Sequence, residues 1–473
     1  MVLYQYRSAE AGLAEIRNHT MRFSSRENLN DPQEGYISLV WQGDKPAWEG
    51  MFRNYFCSFN TALNNLSKEE ARVDINDDNV ICDVDEVDPN IRKLAEILLA
   101  DDDIQTIVNK LSCHHVECER EDLRAILSIL TEHIIKFLSE VGRNHGLILD
   151  EVLLPSEIDI HQIVSKIQGM FDPNMIKAVF ESYSGLANGS RVRWFKNLIK
   201  NNESSEDGKD TSKNHLRLRF DFHKTYVNQL YDIVYPRGYV TCFSETPCNT
   251  VMWGNYADKH KGICLKFEMD DHDVQSYFDK VDSHQIENDI YKVNYISGKD
   301  YIVKRNFFND LWCTSRDDTK KWYTGLNGVR SAIQCDADNE RQYNELFEKV
   351  YTRKTSEWKY EKEYRLLFNG DDVELQNPWL DIPFDKSCLR GVIFGMETPL
   401  DTMAEIEAVV EEGKYSGIEF EQAFFNDNEQ KINLAHIMKD AEDFEKYKYK
   451  VVNDVVQRIV RKNEVEPCHK ESK

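Results

Sequence analysis

Residues 241–268 hold the greatest density of side chains suited to binding a small ligand. Trp253, Tyr256, His260 and Gly262 lie close together there, between two predicted strands. Apolar aromatic walls with a few orienting polar atoms are typical of a small-molecule pocket. The alternative is that the two aromatic side chains are buried and close the core beneath a loop.

A second pattern alternates acidic and basic groups. Glu361, Glu363 and Arg365 fall on one face of a predicted strand, because side chains alternate between the two faces along a strand. Two carboxylates beside a guanidinium are candidates for chemistry. The alternative is a structural ladder of ion pairs with a neighbouring strand.

A sheet must position these groups, since the candidate residues lie on or beside predicted strands. Alternating or apolar runs predict strands at 2–6, 20–24, 241–244, 263–267, 290–295, 389–395 and 418–425. A turn is predicted at Asn30, Asp31 and Pro32, because proline biases the residue before it away from the helical region. This turn competes with a catalytic interpretation of Asp31 or Glu34.

Between these strands the chain changes to helical patterning. Apolar residues recur at spacings of three and four, as at Leu123, Ile126, Leu127 and Leu130. We therefore predict an α+β protein with a mixed, largely antiparallel core sheet. Its discontinuous core domain is expected at 1–60 and 215–430, a helical block at 61–214 with a polar linker at 201–214, and a C-terminal amphipathic helix and tail at 431–473.

Composition narrows the class of protein. The 473 residues carry 59 basic and 83 acidic side chains, a net charge of −24, which opposes non-specific contact with nucleic acid phosphates. No apolar run approaches the roughly 18 residues needed to span a bilayer, and no N-terminal signal is present. Eleven cysteines, an odd number without regular spacing, favour reduced thiols. We expect a cytoplasmic protein that does not bind membranes.

Two patterns resemble metal sites only in part, and we predict no metal. Cys113, His114, His115 and Cys118 supply possible ligands but have no second pair at zinc-finger spacing. The acidic run that resembles a calcium loop lacks its central glycine and terminal glutamate; it consists of Asp74, Asp77 and Asp78. Dinucleotide-binding, P-loop, zinc-protease and nucleophile-elbow motifs are also missing, which argues against a Rossmann dehydrogenase, a P-loop ATPase or an esterase.

Five motifs together resemble a family of bacterial proteins long classed as a domain of unknown function. They are Leu3-Tyr4-Gln5-Tyr6-Arg7, Leu29-Asn30-Asp31-Pro32-x-Glu34, Cys242-Phe243-Ser244, Met252-Trp253-x-x-Tyr256-Ala257-x-x-His260-x-Gly262-x-Cys264 and Trp358-x-Tyr360-Glu361-x-Glu363-Tyr364-Arg365. The resemblance covers roughly 1–60 and 216–395 and leaves out the helical block. It implies a bacterial protein of antiviral defence, because members of the family are associated with phage-defence and abortive-infection loci.

The same segments are similar, more weakly, to ADP-ribosyltransferases. That resemblance implies NAD as a substrate, with Glu363 as the catalytic carboxylate, Glu361 in reserve and Ser244 bracing the glutamate. Breaking the bond between nicotinamide and ribose builds positive charge on the sugar, which a fixed carboxylate stabilises. Trp253 or Tyr256 would stack on the nicotinamide. The expected NAD-binding residues are Arg7, Tyr4, Tyr6, Ser24, Trp253, Tyr256 and His260.

Three functions stay open on the sequence. The first is a glycosyltransferase that moves ADP-ribose from NAD to a macromolecular target in phage defence. The second is a non-catalytic regulatory or phage-sensing protein, similar to an antitoxin, and the expected partner in this case is a phage or antitoxin protein. The third is a metal-dependent nuclease or hydrolase that uses Asp31, Glu34, Glu361 and Glu363.

Overall fold

A computed structural model describes residues 1–31, 33–66, 80–113, 116–141, 158–201, 207–281, 286–314, 321–334, 337–369 and 378–437. The strands are β1 (Val2–Arg7), β2 (Thr20–Ser25), β3 (Ile37–Val40), β4 (Gly238–Ser244), β5 (Ile263–Glu268), β6 (Tyr291–Lys292), β7 (Asn294–Ile296), β8 (Val303–Asn306), β9 (Arg353–Thr355), β10 (Glu363–Asn369), β11 (Trp379–Pro383), β12 (Leu389–Phe394), β13 (Glu419–Asn426) and β14 (Lys431–His436). The helices are α1 (Ala9–Asn18), α2 (Lys45–Leu66), α3 (Pro89–Leu99), α4 (Asp102–Leu111), α5 (Arg120–Glu140), α6 (Ile160–Ile167), α7 (Pro173–Asn201), α8 (Asp207–Val234), α9 (Thr250–Tyr256), α10 (Phe307–Cys313), α11 (Ala337–Tyr351) and α12 (Leu400–Glu412).

The chain forms two compact units. The first contains Met1–Gly35, Arg237–Tyr301 and the described residues from Tyr351 onward. Its main sheet has the order β11-β2-β4-β1-β5-β12-β13-β14, with β10 beside β4 and β6 beside β10. Within this sheet β12 and β13 run parallel, and the other pairs are antiparallel. The predicted α+β class with a mixed, largely antiparallel sheet is confirmed.

The sheet splits along one edge of β4. On its other edge β4 pairs with β10 over its whole length, from Gly238 to Ser244. On the split edge β1 pairs with β4 at Ser244, whereas β2 pairs with it at Val240 and Tyr239. In the described part of the chain, residues 241–243 have no strand partner on that edge. The gap between β1 and β2 therefore leaves one edge of a short length of β4 without a described partner strand.

The two-residue period of the strands separates the core from a polar surface. Leu3, Phe23, Phe243 and Leu366 point to one face and pack in the main hydrophobic core. The residues next to them in sequence point to the other face. The register places Tyr4, Ser244 and Glu363 in one row across β1, β4 and β10, with Cys242 opposite Arg365.

The second unit contains Tyr36–Pro236 and Ile302–Val350 and is mainly helical. Its helices form where the apolar spacing predicts them, since Leu123, Ile126, Leu127 and Leu130 of α5 are all buried. Aspartate caps begin several of them, as at Asp101, whose carboxylate accepts from the backbone of α4.

The ends of the predicted helical block differ from those of this unit. Helix α2 crosses the expected boundary at 60, and α8 crosses the one at 215. The predicted linker at 201–214 is wrong from Asp207 on, because these residues form the first turns of α8. Its residues 202–206 lie outside the described part of the chain.

The predicted C-terminal helix is wrong at its start. Residues 431–436 alternate and pair antiparallel with β13 as strand β14, because the neighbouring strand edge satisfies their backbone groups. The rest of that prediction, from 438 on, lies outside the described residues. Cys57, Cys118 and Cys264 are free thiols, whereas Cys313 is disulfide-bonded. None of the described helices combines the length and apolar character that crossing a bilayer requires.

Candidate functional site

A cavity opens at the split in the sheet of the first unit. Its volume is about 200 Å³ and it opens to solvent, so it is smaller than the roughly 300–1,000 Å³ typical of sites that enclose a small ligand. Strands β1, β2, β4 and β10 supply much of its wall. Its lining residues are Tyr4, Tyr6, Arg7, Arg22, Ser24, Asn28, Leu29, Asn30, Glu34, Val240, Thr241, Cys242, Phe243, Ser244, Met252, Tyr256, Lys354, Glu361, Glu363 and Arg365.

Five buried charged residues of this lining form one connected group, called here the ion cluster: Glu34, Lys354, Glu361, Glu363 and Arg365. The ammonium group of Lys354 is central. Its Nζ lies 2.7 Å from Oε2 of Glu361, 3.1 Å from Oε2 of Glu363 and 3.5 Å from Oε2 of Glu34. The same Nζ lies 4.8 Å from the centroid of the Trp358 ring, which adds a cation–π contact.

Arg365 is the second cation of the ion cluster and is fully buried. Its Nε donates to Oε1 of Glu363 at 2.8 Å, its Nη2 donates to Oε1 of Glu34, and its Nη1 donates to the carbonyl of Tyr351 at 2.7 Å. Three carboxylates thus face two cations. When all five groups are ionised, the ion cluster carries one net negative charge.

The pKa values of the carboxylates move in opposite directions. Burial alone would raise the pKa of Glu363, but the attraction of Arg365 and Lys354 outweighs it and lowers the pKa to about 2. Burial raises the pKa of Glu361, and Lys354 offsets this only in part. Burial likewise raises the pKa of Glu34 against the attraction of Arg365. Glu363 therefore stays ionised, whereas Glu361 and Glu34 hold a proton more readily.

Helix α9 brings Tyr256 to Glu361. Its N-cap Asn249 accepts from the backbone N–H of Val251 at 2.9 Å, and the amide of Asn249 donates to the carbonyl of Tyr360 at 2.6 Å. The helix is thereby tied to the segment that carries Glu361. The Tyr256 hydroxyl donates to Oε1 of Glu361, and burial raises the pKa of this phenol, which keeps its proton.

A backbone reversal directs both glutamates at Lys354. Glu361 ends a short 3-10 helix, Ser356–Glu361, and β10 begins at Glu363. The predicted strand position of Glu361 is therefore wrong. Lys362 between them has φ of 46°, and this left-handed turn lets both carboxylates reach the same ammonium group.

Ser244 supports the backbone of this reversal. Its hydroxyl donates to the carbonyl of Glu361 at 2.7 Å and accepts from the N–H of Thr246 at 3.3 Å. The expected brace is thus present at the main chain of Glu361 and absent at the carboxylate of Glu363, whose bonds within the described residues come from other groups.

Arg7 lines the cavity but is not part of the ion cluster. Its Nε donates to both oxygens of Glu15, at 2.9 and 3.1 Å. Neither Glu361 nor Glu363 pairs with it. Its two Nη groups bond to none of the described residues, so they are open to an anionic ligand. Tyr4, Tyr6 and Ser24 line the same cavity.

Two residues expected to bind the ligand lie elsewhere. Trp253 is fully buried, packs edge-to-face on Tyr6 at 5.2 Å between ring centroids and donates from Nε1 to the carbonyl of Pro247 at 2.7 Å. It closes the core, as the sequence-based alternative proposed. His260 has φ of 71° in the turn before β5, and its carbonyl accepts from the N–H of Glu397. Neither residue lines the cavity.

The family comparison concerns the segment that carries most of the ion cluster. Residues 252–366 match a family model described as a protein of unknown function (DUF2971). The matched segment contains every member of the ion cluster except Glu34, together with Tyr256. Arg7 and Ser244 lie before it in the chain. No curated protein and no solved structure matches the chain significantly.

The described residues contain no group of three or more His, Cys, Asp or Glu side chains arranged to hold a metal ion. Lys354 and Arg365 already occupy oxygens of Glu34, Glu361 and Glu363. Asp31 lies outside the cavity lining and accepts from the N–H of Gln33 at 2.9 Å, as expected of a turn residue. His114, His115 and the Asp74–Asp78 run lie outside the described part of the chain.

Sequence reasoning missed Lys354 and assigned Glu34 only to the nuclease hypothesis. The sequence around Lys354 does not mark it as a site residue, because Glu361 and Glu363, seven and nine positions later, reach its ammonium group only through the reversal at Lys362. The Leu29–Glu34 motif was the one signal for Glu34.

Proposed function

We propose that the cavity binds NAD and that the protein transfers ADP-ribose from it to a macromolecular target. One observation carries the proposal. Glu361 and Glu363 share the ammonium group of Lys354 in the cavity wall, and their pKa values are shifted in opposite directions. Paired carboxylates whose environments separate their pKa values divide the work of glycosidic-bond chemistry.

The chemistry assigns one role to each carboxylate. When the bond from ribose C1 to nicotinamide breaks, nicotinamide leaves with the bonding electrons and C1 becomes electron-poor. Glu363, always ionised, would stabilise that positive charge. A nucleophile of the target bonds to C1 in the same step, as nicotinamide leaves, and loses its proton, which Glu361 would accept and pass to solvent. Tyr256 and Lys354 would hold Glu361 in place during this step.

Ligand binding is supported by groups on the other side of the cavity. The open Nη groups of Arg7 suit the diphosphate of NAD, because a guanidinium binds phosphate oxygens through paired donors. Tyr6 is buried, and its hydroxyl already donates to the carbonyl of Thr246 at 2.8 Å, so it is less available to a ligand. The hydroxyl of Tyr4 bonds to no described residue and is available to a ribose or amide group.

A non-catalytic regulatory or phage-sensing role is the second candidate. It is favoured by the bonding of the ion cluster. Both oxygens of Glu363 already accept hydrogen bonds from cations, as they would in a network that only stabilises the fold. The nuclease or hydrolase hypothesis has less support, because the same cations occupy the oxygens that a catalytic metal would need.

Nicotinamide release from NAD tests the transferase. Wild-type protein should release nicotinamide and label a component of a bacterial lysate with ADP-ribose, and Glu361→Gln should do neither. Binding of NAD by the wild type without release, even with lysate present, would favour the regulatory role. If the protein acts in defence, expression of the wild type should arrest growth of its host and Glu361→Gln should not.

A further inference from the structure

Arg22 is held as a flat, rigid group at the cavity. Its Nε and Nη2 donate to the two carboxylate oxygens of Asp381, at 2.9 and 3.2 Å. Its Cζ lies over the ring of Trp379, 4.7 Å from the centroid. Strand pairing fixes both partners, because β11 places Asp381 opposite Arg22 and Trp379 opposite Ser24.

The guanidinium of Arg22 has a different neighbour on each side. Arg22 is among the residues that line the cavity, whereas Trp379, which covers one face of its guanidinium, is not. One edge of the guanidinium is used by Asp381 and one face by Trp379. The other face remains for a ligand.

Flat cations of this kind suit nucleobases. The guanidinium plane of arginine stacks on aromatic rings and on bases. Phosphate recognition differs, since it uses the edges of the group, and the edge formed by Nε and Nη2 is already paired. Arg7 is the converse case, because its Nη groups are open and no aromatic ring of the described residues backs it.

We propose that Arg22, clamped by Asp381 and backed by Trp379, stacks on the purine base of a bound nucleotide. The identification of that base as the adenine of NAD rests on the proposed function; the stacking itself does not. The site would thereby distinguish adenine nucleotides from fragments that lack the base.

The alternative is an ordinary surface ion pair. Arg390 provides the matched comparison, because its Nε donates to Glu268 at 3.1 Å and its side chain is as exposed as that of Arg22, 45% against 44%. It lies outside this cavity and has no aromatic ring over it in the described structure. Phe425, exposed on β13, is the comparison for removing an exposed aromatic ring.

The test is calorimetric titration with ADP-ribose, AMP and nicotinamide mononucleotide, the last of which lacks the adenine. The variants are Trp379→Ala, Arg22→Lys, Arg390→Lys and Phe425→Ala. Stacking on a base is worth enough to predict a loss of about 5- to 100-fold in affinity for ADP-ribose and AMP in the first two. Their affinity for nicotinamide mononucleotide, and the affinities of the two control variants for every ligand, should stay at wild-type values.

Several results would overturn the stacking proposal. Failure of wild-type protein to bind ADP-ribose or AMP at millimolar concentration would do so. Equal losses of affinity for all three ligands in Trp379→Ala and Arg22→Lys, or no loss of affinity in these variants, would overturn it as well. If these variants turn over NAD and bind ADP-ribose and AMP with wild-type affinity, the transferase proposal stands and the stacking proposal fails. If binding depends on the adenine base but NAD is not turned over, the stacking proposal is supported and the transferase proposal is not.

Discussion

Glu361 and Glu363 accept hydrogen bonds from the same ammonium group, that of Lys354, at 2.7 and 3.1 Å. Their other partners differ. Glu363 also accepts from Arg365, a second cation, whereas Glu361 accepts from the neutral hydroxyl of Tyr256. The difference in charge explains why one carboxyl has a lowered pKa and the other a raised one.

Glu361→Gln should lower nicotinamide release by at least about 100-fold, the usual contribution of a general base. The amide keeps the size of the side chain and can still meet the Tyr256 hydroxyl, and Lys354 keeps Glu363 and Glu34 as anionic partners, so the thermal unfolding midpoint should fall less than in Lys354→Met. Steady-state turnover of NAD and a thermal melt measure the two quantities. Turnover at the wild-type rate in a folded Glu361→Gln would exclude Glu361 as the base.

Lys354→Met should destabilise the first unit strongly. The substitution leaves three buried carboxylates with Arg365 as their remaining cation, and breaking a buried ion pair from one side costs about 3–5 kcal/mol. Lys349→Met is the matched control, because Lys349 pairs with Glu345 on the surface of α11. Urea unfolding at pH 7 should show a large drop in the free energy of unfolding for the first variant and little for the second.

The pH dependence of stability should follow Glu363. Its pKa in the folded protein, about 2, lies below the usual 4.5, so its contribution is present above pH 4.5 and is lost as the pH falls from 4.5 towards 2. In Glu363→Gln this loss should be absent, and stability at pH 7 should already be reduced. Glu34→Gln should still lose stability at acidic pH. At pH 7 it should lower the free energy of unfolding less than Glu363→Gln does, because burial raises the pKa of Glu34 and its ionised form is not favoured.

Urea unfolding of the three proteins between pH 2 and 7 measures these differences. An acid loss in Glu363→Gln as large as that of the wild type would show that other carboxylates produce it.

Local patterns in the sequence predicted much of the sheet. Alternation at 2–6 predicted strand β1, and alternation at Glu363 and Arg365 placed these two residues on the same face of β10, because the period of two holds wherever one side of a strand is buried. The density of aromatic groups at 253–256 located the neighbourhood of the cavity. It did not distinguish Tyr256, which reaches the cavity, from Trp253, which lies in the core three residues earlier.

The rest depended on contacts between distant segments. Glu34 meets Arg365 across 331 positions of sequence, and Arg22 meets Asp381 across 359. The composition of either segment does not specify its partner. The pairing of Arg7 is a local case, since its partner Glu15 lies eight positions later on α1, but no sequence pattern singled out that carboxylate.

Arg7→Ala should weaken binding of ADP-ribose by about tenfold or more, the loss expected when a charge-assisted hydrogen bond to phosphate is removed. Glu15→Gln should weaken it less, because Glu15 orients Arg7 without touching the cavity. Arg17→Ala, which removes a surface pair with Glu405, should bind as the wild type does. Calorimetry with ADP-ribose ranks the three, and an unchanged affinity in Arg7→Ala would place the phosphates elsewhere.

Trp253→Phe should lower stability without changing ligand affinity. Loss of the indole N–H leaves the carbonyl of Pro247 unsatisfied in the core, at about 1–3 kcal/mol, and the smaller ring packs less well on Tyr6. The dissociation constant for ADP-ribose, measured well below the unfolding temperature, should stay at its wild-type value because the side chain does not line the cavity. Phe425→Ala, which removes an exposed ring, should change neither quantity. Weaker binding with an unchanged unfolding midpoint would instead return Trp253 to the stacking role that the sequence predicted.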